Sequence, residues 1–175
     1  MKRSLSLVGS LALLISGCSE SPVEVVTTAL VSVTPAHGAT GVAATPPIEV
    51  RFDGPLASGA AALIALQVGD CPGPVVAGTW SASPDNRTIT FSPVDPLHPG
   101  MRYTIHVGGG MIDAGGALVD LERHGPGRGG TWVTEVMVLG MGGMGMGGMS
   151  AHAGPGWRGG NGFYGLAFAF TTGAG

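Results

Sequence analysis

Residues 87–119 read RTITFSPVDPLHPGMRYTIHVGGGMIDAGGALV. Two stretches in them repeat with a period of two. In the first, Ile89 and Phe91 alternate with Thr88 and Thr90; in the second, Tyr103, Ile105 and Val107 alternate with Arg102, Thr104 and His106. Strict alternation of this kind predicts β-strands with one face in a core and the other in water. Between them, Pro93, Pro96, Pro99 and Gly100 mark a crossing loop rather than a tight hairpin. Three glycines follow the second strand, and then a turn at Asp113-Ala114-Gly115-Gly116.

Outward from this centre the same pattern recurs. Upstream, residues 31–34 begin the sheet, and Ile48, Val50 and Phe52 alternate with Glu49 and Arg51. Pro46 and Pro47 stand just before that strand, where a missing amide donor does little harm. Residues 59–68 suit either a short helix or a strand; all-β surroundings favour a helical turn near Ala60 and a strand from Leu63. Residues 75–81 are the next expected strand, with Trp80 as a core aromatic, and Ser83-Pro84-Asp85-Asn86 is a turn by composition. Downstream, Leu166, Phe168 and Phe170 alternate with Ala167 and Ala169 and close the sheet. The expected inward positions are Val50, Phe52, Trp80, Ile89, Phe91, Tyr103, Ile105, Phe168 and Phe170.

These pieces occur in a recognisable order: Thr88 to Pro93, Leu97 to Val107, the Asp113 turn, then Phe168 to Thr172. Pro35 to Val42 supplies an opening P-x-x-G-A-x-x-V loop. In this order the chain resembles the bacterial Ig-like domain first described in S-layer proteins. The resemblance implies an all-β fold: an antiparallel Ig-like sandwich of about seven strands with Greek-key connections. It also implies that Tyr103, near the corner after Gly100, hydrogen-bonds back to the loop backbone as a structural residue. The chain departs from the family between about residues 117 and 165, where a long Gly/Met-rich insertion precedes the last strand. Residues 131–139 are a candidate extra strand within it.

The first 17 residues are read as a signal peptide. Lys2 and Arg3 open it, and residues 5–15 are mostly apolar but too short to span a bilayer. Ile15-Ser16-Gly17-Cys18 resembles a bacterial lipobox, which makes Cys18 the acylated first residue of the mature chain. Several acyl chains anchor stably, each buried methylene contributing about 0.8 kcal/mol. Ser19 after the cysteine favours the outer membrane over inner-membrane retention. Residues 18–29 are a tether and 30–175 the Ig-like domain.

Without Lys2 and Arg3, six basic residues, all Arg, face eleven acidic ones, a net charge of −5. Nucleic acid is thereby excluded as a partner, since it calls for a basic footprint. With Cys18 acylated, Cys71 has no second cysteine for an intrachain disulfide and reads as a thiol without a role.

The insertion carries the one chemical signal. Residues 125–165 hold 16 of the 33 glycines, and five of eight methionines fall between 137 and 149. Met141, Met144, Met146 and Met149, with His152, could gather thioether sulfurs and an imidazole around one ion, a soft set suited to Cu(I). The plainer reading is a low-complexity loop in which methionine fills gaps. His37, His98, His106 and His124 are expected to be solvated. Asp53, Asp95 and Asp113 read as turn residues, with a calcium site from two of them as the weaker alternative. No nucleophile–base spacing, phosphate loop or zinc pattern is visible, so no enzyme is expected. Two readings follow: a lipid-anchored envelope module, structural or binding another envelope protein, and a metal-handling lipoprotein with a Cu(I)-binding loop.

Overall fold

The computed structural model describes residues 27–124, 129–134 and 164–175. Among the described residues, eight strands build two four-stranded antiparallel sheets. In chain order they are β1 (Leu30–Thr34), β2 (Ile48–Phe52), β3 (Ile64–Val68), β4 (Gly78–Ala82), β5 (Thr88–Pro93), β6 (Arg102–Val107), β7 (Thr131–Thr134) and β8 (Tyr164–Thr171). One sheet runs β1-β2-β5-β4 and the other β3-β6-β8-β7. Without β7 this is the seven-strand Ig layout, four strands facing three. The eighth strand is the extra one, added outside β8.

Register follows from the alternation. Val50 lies opposite Ile89 and Ile48 opposite Phe91 in the first sheet. Ile105 lies opposite Phe168 and Tyr103 opposite Phe170 in the second. All of these side chains are buried and belong to one core between the sheets. Each contributes roughly 1.5–3 kcal/mol by leaving water. Trp80, expected in the core, is half-buried: its strand is the edge of the first sheet, and its ring tilts onto Phe91 at 4.7 Å.

Four expectations are corrected. The strand expected at 75–81 is split. Residues 74–76 pair with β3, through Val68 N donating to Pro74 O and Val76 N to Leu66 O, both 2.8 Å. The chain then crosses to the first sheet and begins β4 at Gly78. Second, residues 117–124 are not insertion. Val119 and Leu121 are core residues, and the Asp120 amide donates to Thr28 O at 2.8 Å. Third, His124 is buried rather than solvated, edge-on to Phe168 at 5.2 Å. Fourth, His106 does lie on the outward side of its strand, yet is only 1 % exposed.

The helical turn at Ala60–Leu63 appears as a 3-10 turn running straight into β3. The opening loop closes the part of the β8 edge that short β7 leaves bare. His37 Nδ1 accepts from Ala169 N at 3.1 Å, Gly38 N donates to Ala169 O, and Thr171 N donates to Ala39 O. Val42 then forms a parallel bridge with Thr172. Edge amides are thereby removed from solvent, where they would template further pairing.

Candidate functional site

Polar side chains gather at the two ends of the sandwich. At one end the proline loop folds over β6. The Tyr103 hydroxyl accepts from the His98 amide at 2.9 Å, and Thr172 Oγ1 donates to His98 O at 2.6 Å and accepts from Met101 N at 2.9 Å. Three loop groups are thus fixed to side chains of β6 and of the residue that follows β8. Beside them lies a cleft of about 160 Å³ between Val68, Val76, Asp95, Leu97, His98 and Tyr103. Ligand pockets run from roughly 300 Å³ upward, so this is a crevice rather than a small-molecule site.

At the other end the D-x-x-G turn closes on the chain's first described residues. Asp113 Oδ1 accepts from Gly115 N and Ala117 N, each at 2.9 Å, and Thr28 Oγ1 donates to Oδ2 at 3.2 Å. Gly116 follows with φ +85°, a left-handed conformation glycine adopts without strain. The Ala117 amide, and after it Thr28 and Gly115, hold the Asp113 carboxyl below its ordinary value, against the opposing effect of desolvation. Asp53 does similar work: Oδ1 accepts from Ala29 N at 2.7 Å, and Oδ2 lies 3.6 Å from Arg123. Arg123 also donates to Thr27 O at 3.0 Å, and Arg87 to Asp53 O at 2.7 Å.

Asp53 and Asp113 do line one cleft of about 380 Å³, with Thr27, Thr28, Gly54, Pro55 and Gly115. Asp95 is at the opposite end. Of the four carboxylate oxygens in the cleft, three accept protein donors and the fourth faces a guanidinium. A calcium ion would have to displace the bonds that shape the turn, so the calcium reading gains no support. Among the described residues no three His, Cys, Asp or Glu side chains converge on a metal position.

Cys18, Met141, Met144, Met146, Met149 and His152 lie outside the described residues. The two structural residues lie within them: Tyr103 is fully buried at its corner and Trp80 half-buried on β4. Sequence reasoning missed Thr28, Thr172 and His37, each of which secures a distant segment. Thr172 and His37 lie within the Phe168 to Thr172 and Pro35 to Val42 patterns, but neither pattern says which distant backbone group the side chain meets, and Thr28 lies in no pattern.

A sequence profile described as bacterial Ig-like domain matches residues 24–123. Among solved structures, surface layer protein SbsC, domains 1–6, is similar at 19 % identity. It covers 55 % of this chain and 13 % of its own, with a TM-score of 0.40. The S-layer protein rSbsC(31-844) gives 19 %, 55 %, 13 % and 0.39. The chain therefore spans 13 % of the length of either protein. No curated protein matches in sequence. The profile covers more than half of the chain and contains β1 to β6 whole, with the Tyr103 corner and the Asp113 turn. The chain belongs to the bacterial Ig-like domain family.

Proposed function

We propose that this is a lipid-anchored module of the cell envelope, structural or protein-binding rather than catalytic, tethered through acylated Cys18. The observation that carries the reading is how the polar groups at both ends are used. Tyr103, Thr172, Asp53 and Asp113 tie loops to strands and to one another. A rigid body with fixed end loops suits load-bearing or the display of contact residues. Bacterial Ig-like family membership and the Ile15-Ser16-Gly17-Cys18 sequence support an envelope address, and Ser19 favours the outer membrane. Any partner is then another envelope protein.

The test is fractionation and intact mass of the full chain expressed in a bacterium, with Cys18→Ala alongside. The parent should fractionate with membranes and start at an acylated Cys18. The variant should be released or stay unprocessed. A parent that is soluble and carries no acyl chains would overturn the reading.

A second reading rests on one specific feature, the clustering of five methionines and His152 among glycines in an exported chain. On that reading the segment captures Cu(I) through thioether sulfur, which needs no deprotonation to bind.

A further inference from the structure

An edge strand shows water a row of unpaired N–H and C=O groups, which can recruit another strand. In the second sheet, residues 74–76 line β3, and β7 with the opening loop lines β8. The strand at the end of the first sheet, β4, has no such cover among the described residues.

Which groups point outward follows from the ladder. Val94 N donates to Ala77 O at 3.0 Å and Ser83 N to Thr88 O at 2.8 Å, so residues 77 and 83 are bonded to the β5 side. Bonded and non-bonded pairs alternate along antiparallel strands. Thr79 and Ser81 therefore also bond to β5, and Gly78, Trp80 and Ala82 turn their N–H and C=O away from it. From Ala77 to Ser83 the chain has neither a charge nor a proline, the usual devices that close off an edge. Gly78, Thr79, Ser81 and Ala82 are exposed. Trp80, at the centre, is half-buried, and the neighbouring Ala60–Leu63 turn adds half-buried Ala61 and Leu63. Free backbone groups thus run beside an incompletely covered apolar margin.

We propose that β4 pairs antiparallel with β4 of a second copy of this chain, joining two four-stranded sheets into one. The strand is complementary to itself. About a two-fold axis at Trp80, Gly78 faces the partner's Ala82, Trp80 faces the partner's Trp80, and Ala82 faces the partner's Gly78. Every one of these pairs unites outward-pointing groups, so each exchanges two hydrogen bonds. A slip of one residue would set outward groups against residues already bonded to β5. A slip of two would leave part of the strand unpaired. Small residues flank the centre, so the two indoles can meet on the core side. On the other side Thr79 meets the partner's Ser81, a favourable cross-strand pair. No like charges meet along the strand, although the chain carries a net charge of −3. Stable interfaces engage about 20–30 residues a side. The strand offers five, so the pairing is reversible and has to be trapped.

The test traps it by register. Thr79→Cys and Ser81→Cys are introduced into separate full-length chains, each also carrying Cys71→Ser and a different tag. The two are mixed and treated with a thiol oxidant. In the proposed pair residue 79 stands opposite residue 81, with Cα atoms about 4.5 Å apart and within reach of a disulfide. Residue 79 against 79, and 81 against 81, are diagonal neighbours roughly 7–8 Å apart and beyond that reach. Mass spectrometry of the linked peptides should find the 79–81 link far in excess of a statistical mixture. Equal representation of all three links, or no linked dimer, would overturn the proposal. Ala82→Pro in both chains removes an outward donor and leaves the bonds to β5 in place, so it should abolish the 79–81 link. A link that survives the proline would equally overturn it. A thermal melt beside the parent's distinguishes loss of pairing from loss of fold.

Discussion

Tyr103 shows how one side chain sets a corner. Its ring stacks on Phe170 at 5.8 Å in the core while its hydroxyl reaches the His98 amide outside it. Tyr103→Phe keeps the ring and strands the amide, so stability should fall by about 0.5–1.5 kcal/mol. Urea unfolding should show a lower midpoint at unchanged slope; an unchanged midpoint would mean that water replaces the hydroxyl fully. Asp113 sets the opposite end, and its effect depends on pH. Its folded-state carboxyl is held below the ordinary 3.8, first by the Ala117 amide. A depressed acid contributes stability above its unfolded value and loses it as pH falls through the folded one. Asp113→Asn can still accept from both amides but does not titrate. Parent and variant should therefore differ at pH 7 and converge as pH drops below 3.8, with urea midpoints as the measurement. Asp85 is depressed too, chiefly by the Ser83 hydroxyl, but it is present in both proteins and cancels in the comparison. Tyr103 was legible because its corner sits in a sequence pattern. His106 and His124 were not: alternation assigns a side to a residue, but says nothing of what lies over that side.

At the scale of elements, β4 and β5 show how tightly the first sheet is fitted. A Cβ on Gly78 would stand 2.3 Å from the Phe91 ring and 2.6 Å from Ser92 O. Phe91 occupies that space and is 4 % exposed, with Trp80 on its face. Phe91→Ala should cost about 3–5 kcal/mol, the range for an emptied aromatic core site. Gly78→Ala should also destabilise, because backbone as well as ring must move to admit the methyl group. Thermal melts of both variants check this pair, and a Gly78→Ala melt equal to the parent's would show that β4 is free to shift. Strands β2, β5, β6 and β8 were readable because each has one apolar and one different face. Residues 74–76 and β7 were harder. Their place is set by which neighbouring edge lacks a partner, and a short segment carries no record of that edge. Ala60–Leu63 was readable as a turn because four residues without β-branching precede the β-branched Ile64.

For the whole molecule, the two layers differ in what they present. The β1-β2-β5-β4 sheet shows water a polar face, while on the outer face of the other sheet Gln67, Thr104 and His106 are buried and Arg102 and Thr131 exposed. The segment between β7 and β8 connects two strands of that second sheet and carries Met137, Met141, Met144, Met146, Met149 and His152. If it handles copper, selectivity should follow ligand softness: Cu(I) and Ag(I) bound, Zn²⁺ refused, since zinc favours thiolate, imidazole and carboxylate. Thioethers do not titrate, so mild acid should leave uptake nearly unchanged, and any loss near the histidine range reports His152. Changing Met141, Met144, Met146 and Met149 together to leucine keeps size and apolarity and removes sulfur. Copper needs sulfur, and leucine has none. The leucine variant should melt as the parent does and lose Cu(I) in a titration against a competing chelator. Equal Cu(I) uptake by parent and variant, or none by the parent, would overturn the copper reading.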